Sequence, residues 1–215
     1  MKKLYIFDLD GTLLDTLEDL YLSVNRALRE YGLPERSKDE VHDFIGDGIR
    51  MLINRSVPRE TDEKTVEKVF SFFKEYYEKH CEDNTRPYDG IIEVLQKIRA
   101  RGAATAVVSN KADFAVKKLV SRYFPNLFDV IIGQSDNVRR KPYPDSVNAV
   151  LAALGVDKKD AFFIGDSEVD VQTAFNAAVD CIAVTWGYRS VTTLKNYGAT
   201  RFAHAPRDLL PRGSV

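Results

Sequence analysis

Short, mainly apolar segments recur along this chain and constrain its fold more than any other feature of the sequence. Four of them are clear, at residues 4–7, 104–108, 130–132 and 161–164, and residues 179–185 form a plausible fifth. Continuous apolar runs rich in β-branched and aromatic residues are typical of strands that are covered on both faces of a sheet. The sequence therefore predicts a buried sheet.

Helical patterns separate the last four of these segments. Residues 91–100 carry their apolar side chains on one stripe, with Gly102 placed to end the helix, and residues 114–123 and 146–154 repeat the pattern. Strands that alternate with helices form βαβ units around a mainly parallel sheet. We therefore predict an α/β fold with a Rossmann-like parallel sheet as its core.

The segment Asp15–Arg86 breaks this alternation. It carries apolar stripes at helical spacing over residues 17–31 and 66–81, and Ser37 with Glu40 has the spacing of a capping box before a short helix. We interpret residues 15–86 as an α-helical cap inserted into an α/β core of residues 1–14 and 87–215. An insertion of this kind is where substrate selection and water exclusion would be placed.

The charge balance excludes several classes of partner. The 215 residues include 31 Lys and Arg and 32 Asp and Glu, which gives a formal net charge of -1. Such a chain has no global positive field to hold nucleic acid and no polybasic run directed at an anionic membrane. We expect neither partner, and a charged ligand must be bound by a local arrangement of groups.

The remaining general features favour a cytoplasmic protein. Cys81 and Cys181 lie far apart in apolar surroundings, which favours two reduced thiols over a disulfide or a metal site. We see neither a signal peptide nor an apolar stretch long enough to span a bilayer. We expect a monomer or a homodimer. Residues 209–214 resemble a protease-cleavage linker and carry no functional argument.

Polar side chains follow the first four predicted strands. In an open parallel sheet, ligands bind beyond the carboxyl ends of the strands, so these groups should converge on one edge. They are Asp8 and Asp10 after the first strand, Ser109, Asn110 and Lys111 after the second, Lys141 beyond the third, and Asp166 and Asp170 after the fourth.

This edge has the composition of a magnesium site. Asp8 and Asp10 are two residues apart and point the same way if the strand continues, and two more carboxylates join them from the fourth strand. Such carboxylates repel one another strongly unless a cation lies among them. Oxygen ligands suit Mg²⁺, which shares its shell with substrate phosphate, and the absence of His and Cys from these segments argues against zinc.

The same groups can carry out phosphoryl transfer. Asp8 can serve as a nucleophile that forms an aspartyl-phosphate. Asp10 is placed to protonate the leaving group and later to deprotonate the hydrolytic water. Lys141 balances the charge of Asp8 and of the incoming phosphate. We therefore predict a Mg²⁺-dependent phosphatase that acts on a small phosphorylated metabolite.

The motifs also resemble those of a known family. Asp8-Leu9-Asp10-Gly11-Thr12 resembles the first motif of the haloacid dehalogenase superfamily of phosphohydrolases, and the later groups resemble its second, third and fourth motifs in order. Within the superfamily the chain is similar to the phosphoglycolate phosphatase group. The supporting segments are Gly46-Asp47-Gly48, Lys141-Pro142-Tyr143-Pro144-Asp145 and Thr185-Trp186-Gly187-Tyr188.

The resemblance implies a role for each site residue. Asp8 would be the nucleophile and Asp10 the general acid and base. The metal would be held by the side chains of Asp8 and Asp166 and the backbone carbonyl of Asp10, with Asp170 supporting them. Phosphate would be held by Ser109, Asn110 and Lys141. Many members carry Thr at the position of Ser109. The serine keeps the hydroxyl group of Thr and lacks its methyl group.

Several functions remain open at this point. The best candidate substrate is 2-phosphoglycolate, but the core motifs do not separate a phosphatase from a phosphosugar mutase resembling β-phosphoglucomutase, or from a pyrophosphatase. A phospho-receiver signalling domain is disfavoured by the order of the motifs and by the inserted cap. A catalytically silent binding protein is disfavoured because Asp8 and Asp10 are both present.

The cap contributes a weaker prediction. Gly46, Asp47 and Gly48 form either a turn between helices or a loop that reaches the substrate, with Arg50 nearby to meet an anionic group.

Overall fold

The main sheet is parallel, as the alternation of strands and helices predicts. A computed structural model describes residues 2–135 and 138–210. The strands are β1 (Leu4–Phe7), β2 (Leu14–Asp15), β3 (Arg86–Pro87), β4 (Ala104–Ala112), β5 (Val130–Gln134), β6 (Ala161–Gly165), β7 (Asp180–Val184) and β8 (Phe202–Ala203). Six of them form one sheet in the order β5-β4-β1-β6-β7-β8, and β2 pairs with β3. The predicted α/β fold class is confirmed.

The helices flank this sheet or form a separate group. They are α1 (Leu17–Glu30), α2 (Lys38–Phe44), α3 (Gly48–Ser56), α4 (Glu63–His80), α5 (Ile91–Ala100), α6 (Asp113–Tyr123), α7 (Asp145–Leu154), α8 (Glu168–Ala177) and α9 (Val191–Asn196), with short 3-10 turns at Lys158–Asp160 and Pro206–Leu209. The chain divides into two compact units, Met1–Leu14 with Pro87–Val215, and Asp15–Arg86.

The strand β1 lies in the middle of the sheet and sets the register for its neighbours. Leu4 lies opposite Ala104 of β4 and Ala161 of β6. All four residues of β1 are buried because helices cover both faces of the sheet. The carboxyl end of β1 therefore opens between the carboxyl ends of β4 and β6, which is where the polar motifs of the sequence were expected to meet.

Two details of the sheet differ from the pattern in the sequence. The second predicted strand continues to Ala112, so Ser109 and Asn110 lie within β4 and not after it. The short strand β8 was not predicted, because two residues carry too little periodicity to identify a strand.

The unit Asp15–Arg86 contains the four helices α1 to α4. The predicted capping box is present, since Ser37 Oγ accepts the Glu40 N–H and the Glu40 side chain accepts the Ser37 N–H. The buried carboxylate of Asp19 on α1 accepts backbone N–H groups of Asn84 and Thr85, so both ends of this segment are tied together.

Three general predictions from the sequence can be compared with the described part of the structure. Cys81 and Cys181 are both free, as predicted. Within residues 2–135 and 138–210, no helix combines the length and the apolar character needed to cross a bilayer. Most of the proposed linker, residues 211–214, lies outside the described residues.

Candidate active site

The predicted polar residues of the core meet at the carboxyl ends of β1, β4 and β6. Asp8 continues directly from β1, and its N–H donates to the carbonyl oxygen of Ile164 on β6 at 2.9 Å. This bond fixes the backbone of Asp8 beside the sheet. The residue is 8% exposed, so its carboxylate lies in a largely water-free environment.

Lys141 supplies a buried ammonium group to this cluster. Its Nζ lies 2.8 Å from Asp8 Oδ1 and 2.6 Å from Asp170 Oδ1. Burial by itself would lower the pKa of Lys141, but the carboxylates of Asp170 and Asp8 outweigh that effect and raise it. The side chain therefore stays positively charged between two carboxylates.

Asn110 holds the backbone of Lys141 in place. The Lys141 N–H donates to Asn110 Oδ1 at 2.8 Å, and Asn110 Nδ2 donates to the Lys141 carbonyl at 3.1 Å. The side-chain amide of Asn110 thus binds the loop that carries the lysine. Its predicted contact with phosphate, and that of Ser109, stay predictions.

Asp170 lies in the first turn of α8 and is held by the residue that caps that helix. Ser167 donates from both its N–H and its Oγ to Asp170 Oδ2, at 3.0 and 2.6 Å. Lys141 occupies the other oxygen of the same carboxylate. Asp170 therefore links the helix cap to the ammonium group that contacts Asp8.

Asp166 is fixed by groups from two loops. Thr12 Oγ1 donates to Asp166 Oδ1 at 2.7 Å, and the Tyr188 N–H donates to Asp166 Oδ2 at 2.8 Å. A Cβ atom at Gly11 or at Gly187 would overlap the Asp166 side chain. Only glycine leaves room for the carboxylate at these two positions.

The sequence analysis placed Lys111 at this edge of the sheet but assigned no role to Lys111, Thr12 or Tyr188. Lys111 is 4% exposed, and its Nζ lies 2.8 Å from Asp10 Oδ1. Thr12 and Lys111 stand inside the motifs and could have been chosen there. Tyr188 contributes a backbone N–H, for which the sequence contains no signal.

The donor set fits a divalent cation. Oxygen atoms of Asp8, Asp166 and Asp170 lie within 4.8 Å of one another. Asp8 Oδ1 is buried and accepts no well-aligned hydrogen bond from the described residues, although it is in ionic contact with Lys141. A buried oxygen of this kind is stabilised by a cation, and an all-oxygen set is what Mg²⁺ prefers.

The charges of the site lead to the same conclusion. Four carboxylates, including that of Asp10, face the two ammonium groups of Lys111 and Lys141, which leaves two negative charges uncompensated. Burial raises the pKa of Asp8 to about 7, reinforced by Asp170 and opposed by Lys141. Burial raises the pKa of Asp166 to about 8, with Asp170 and Asp8 adding to the shift. Without metal, protons compensate these charges.

This electrostatic arrangement predicts an unusual pH dependence of stability. In the metal-free protein, Asp8 and Asp166 keep their protons in the folded state at pH values where the unfolded chain, with ordinary carboxyl pKa values near 3.8, has released them. The folded state then binds more protons, so these two groups make the free energy of unfolding fall as pH rises from about 4 to about 8. Mg²⁺ replaces the protons and should remove this loss.

Urea unfolding with EDTA and with saturating Mg²⁺, at about pH 5 and pH 8, measures the effect. We expect the stabilisation by Mg²⁺ to be larger at the higher pH. The variant Asp166→Asn, which cannot ionise at that position, should show a smaller difference. Equal stabilisation by Mg²⁺ at both pH values would contradict the assignment of Asp8 and Asp166 as the groups at which Mg²⁺ replaces protons.

The four predicted cap residues lie around the start of α3. Asp47 forms an ion pair with Arg55 at 2.5 Å, and Arg50 pairs with Glu67 at 2.7 Å and lies over the ring of Phe70. Gly46 and Gly48 both have positive φ angles, of 125° and 81°. Their role in substrate selection stays a prediction.

Comparison with known proteins identifies the family of this chain. The family model of the haloacid dehalogenase-like hydrolases matches residues 5–184. A phosphoglycolate phosphatase of Pseudomonas putida is 33% identical over 225 residues, covering 98% of this chain and 79% of that protein. One from Yersinia pseudotuberculosis is 33% identical over 216 residues, covering 95% and 90%.

A solved structure has a similar fold. The crystal structure of a protein from Lactobacillus delbrueckii subsp. bulgaricus, provisionally described as a phosphoglycolate phosphatase, has a TM-score of 0.91 and 36% identity, covering 97% of both chains. The present chain belongs to the haloacid dehalogenase-like hydrolase family. It is a phosphoric monoester hydrolase, similar to the phosphoglycolate phosphatases.

Proposed function

We propose that this enzyme is a Mg²⁺-dependent phosphatase that hydrolyses a small phosphorylated metabolite, 2-phosphoglycolate foremost, through an aspartyl-phosphate on Asp8. The observation that carries the proposal is the position of Asp8. Its buried carboxylate lies beside the ammonium group of Lys141 and within a group of three carboxylates that suits a cation. A nucleophile beside compensating positive charge is what phosphoryl transfer requires of a protein.

The first half of the reaction forms the phosphoenzyme. An oxygen of Asp8 attacks phosphorus, the bond between phosphorus and the ester oxygen breaks, and Asp10 gives its proton to the departing alkoxide. Lys141 compensates negative charge on the nucleophile and on the phosphoryl oxygens, and Ser109, 7% exposed within β4, offers a hydroxyl donor.

The second half releases phosphate. Asp10, now deprotonated, accepts a proton from a water molecule whose oxygen attacks phosphorus, and the bond from phosphorus to Asp8 breaks. A Mg²⁺ ion held by Asp8, Asp166 and the Asp10 carbonyl, with Asp170 in support, would neutralise charge on the phosphoryl group when bound. The side chains of Asp8, Asp166 and Asp170 fit that ion because their oxygens are close together and Asp8 Oδ1 accepts no well-aligned hydrogen bond from the described residues.

The choice of 2-phosphoglycolate depends on the relatives. Those from Pseudomonas putida and Yersinia pseudotuberculosis are named phosphoglycolate phosphatases, and each aligns with nearly the whole of this chain. A mutase and a pyrophosphatase would form the same phosphoenzyme. The mutase differs from a phosphatase in the acceptor of the phosphoryl group, which is a sugar, and the pyrophosphatase differs in the donor, which is pyrophosphate.

A panel of substrates tests the proposal. Purified enzyme is assayed with 2-phosphoglycolate, pyrophosphate, β-glucose 1-phosphate and glycerol phosphate, each with Mg²⁺ and with EDTA. We expect the highest kcat/KM for 2-phosphoglycolate, with inorganic phosphate as the product and no turnover in EDTA. Formation of glucose 6-phosphate would indicate the mutase, and a preference for pyrophosphate would indicate the pyrophosphatase.

A further inference from the structure

A groove of about 400 Å³ lies near the amino-terminal ends of the strands of the main sheet. Two buried rings line it, Tyr5 on β1 and Phe162 on β6, which are opposite each other in the sheet register and meet edge to face. Phe162 stands four residues before Asp166, which is about 13 Å along an extended strand. The groove is therefore separate from the carboxyl-terminal edge that holds the candidate active site.

The lining of this groove carries more positive than negative charge. Its charged side chains are Lys2, Lys159, Arg201 and Asp160. Two ion pairs join side chains of the lining to residues outside it, Lys2 with Asp180 at 2.6 Å and Asp160 with Lys3 at 3.1 Å. These pairs add one outside charge of each sign, so the surplus of two positive charges remains.

Two of these cations lie over the ring of Phe162. Lys2 Nζ is 4.9 Å and the central guanidinium carbon of Arg201 is 4.5 Å from the centroid of that ring. Lys2 also donates to the Lys159 carbonyl oxygen, whereas Arg201 forms no ion pair with any carboxylate of the described residues. An aromatic ring attracts a guanidinium group without neutralising its charge. Arg201 therefore keeps its charge available to an anion.

Two further donors of this region lack acceptors. Tyr5 is 3% exposed, and its hydroxyl has no hydrogen-bond partner within residues 2–135 and 138–210. Arg101 Nη1 is buried and has no partner in the same part of the chain. Burial raises the pKa of Tyr5, and the positive charges of Arg101 and Arg201 oppose that rise, so both guanidinium groups act on the hydroxyl. Buried donors without acceptors destabilise a fold, and an anion bound beside them would reduce that cost.

We propose that the groove binds a small organic dianion of the phosphate-monoester class, with its charged oxygens at Arg201 and the Tyr5 hydroxyl and its apolar body against Leu209 and the two rings. The two surplus positive charges of the lining match the charge of such a ligand. Guanidinium and ammonium groups are the usual donors to phosphate oxygens, and the volume suits a small molecule. This second site goes beyond the proposed function, since it shares no residue with the candidate active site.

Binding of phenylphosphonate tests the proposal, because this compound carries a phosphate-like dianion and an apolar ring but no ester bond that a phosphatase could cleave. It is titrated into the isotope-labelled full chain in EDTA at about pH 8, where the phosphonate carries two negative charges. Backbone amide chemical shifts are recorded. We expect saturable shifts at Phe162, Arg201 and Leu209 that fit one dissociation constant. The amides of Asp8 and Asp166 report separately on any binding at the candidate active site.

Two variants remove individual donors. Arg201→Gln should weaken binding at the groove by at least about 10-fold, as expected for the loss of a charged donor, and Tyr5→Phe, which removes only the hydroxyl, by at least about 3-fold. Lys195→Gln is the matched control, because Lys195 also lies over a ring, that of Phe202 at 5.9 Å, and its replacement changes the net charge equally. The control should bind phenylphosphonate as the unmodified enzyme does.

Two simpler anions separate the parts of the proposal. Benzoate carries one negative charge and inorganic phosphate has no apolar body, so we expect each to bind at the groove about 10-fold more weakly than phenylphosphonate. Equal affinity for either anion would overturn the ligand class. The absence of shifts at the groove up to about 10 mM phenylphosphonate, or unchanged affinity in Arg201→Gln, would overturn the site itself. These measurements involve no turnover, so their outcome does not depend on the proposed function.

Discussion

Replacing Asp8 with asparagine should lower kcat by at least about 10⁴-fold and abolish the phosphoenzyme. The amide lacks the negative charge and nucleophilicity that attack on phosphorus requires, while its size and shape match the carboxylate. The measurement is turnover of the best substrate at saturating Mg²⁺, together with acid quenching of enzyme mixed with labelled substrate. Label on the wild-type protein and none on the variant is the expected result.

A control separates loss of the nucleophile from loss of a carboxylate in general. Asp129 lies in the same unit, just before β5, and binds Arg99 at 2.7 Å and the Thr105 N–H at 2.9 Å. Asp129→Asn should retain kcat within about 2-fold, because its effect is limited to stability, at most about 1 kcal/mol for a partly exposed pair. Appreciable turnover by Asp8→Asn would remove Asp8 from the role of nucleophile.

Adding a methyl group at Gly11 should reduce kcat/KM by about 100-fold, the scale of a small misplacement in an active site. Gly11 has φ of 80°, and a Cβ atom there would overlap the Asp166 carboxylate. Asp166 is 1% exposed and has Gly187 on another side, so it cannot move away without losing its own contacts. We expect Gly11→Ala to bind Mg²⁺ more weakly and to melt at a lower temperature.

Gly102 provides a control with the same backbone strain. Its φ is 77°, and a Cβ atom built there meets no atom within 4 Å. Gly102→Ala should therefore lose only the about 1–2 kcal/mol expected for alanine in the left-handed region, with kcat and Mg²⁺ affinity unchanged. Similar losses of activity in both variants would show that strain, and not overlap with Asp166, explains the effect at Gly11.

The pattern of apolar segments was sufficient to predict the class of fold and most of its elements. Residues 91–100 were predicted as a helix with the bounds that α5 has in the structure. These predictions succeed because periodicity is a local property of the sequence, and a continuous apolar run by itself indicates a buried segment. The short strand β8 and the last residues of β4 were missed, because their pairing depends on neighbours distant in sequence.

The candidate site was predictable as a set of residues but not as a set of contacts. Asp8, Asp166 and Lys141 were chosen because each follows a predicted strand, and the structure brings them together. The ion pair between the Asp10 side chain and Lys111 was not predicted. Whether a carboxylate contacts a metal ion or a lysine ammonium group depends on the directions of the side chains, and an irregularity in a strand can change these directions.

The sequence alone therefore determined the parallel α/β core, because that core follows from periodicity, and it predicted a helical segment and a group of polar residues at the strand ends. The tertiary structure decided which charges are paired. It placed Lys141 between Asp8 and Asp170 and directed Lys111 to Asp10, 101 positions away in the chain. Strand order brings the carboxyl ends of these strands together, and the pairing of β4 with β5 is irregular where Lys111 lies; both depend on packing between segments that are distant in sequence.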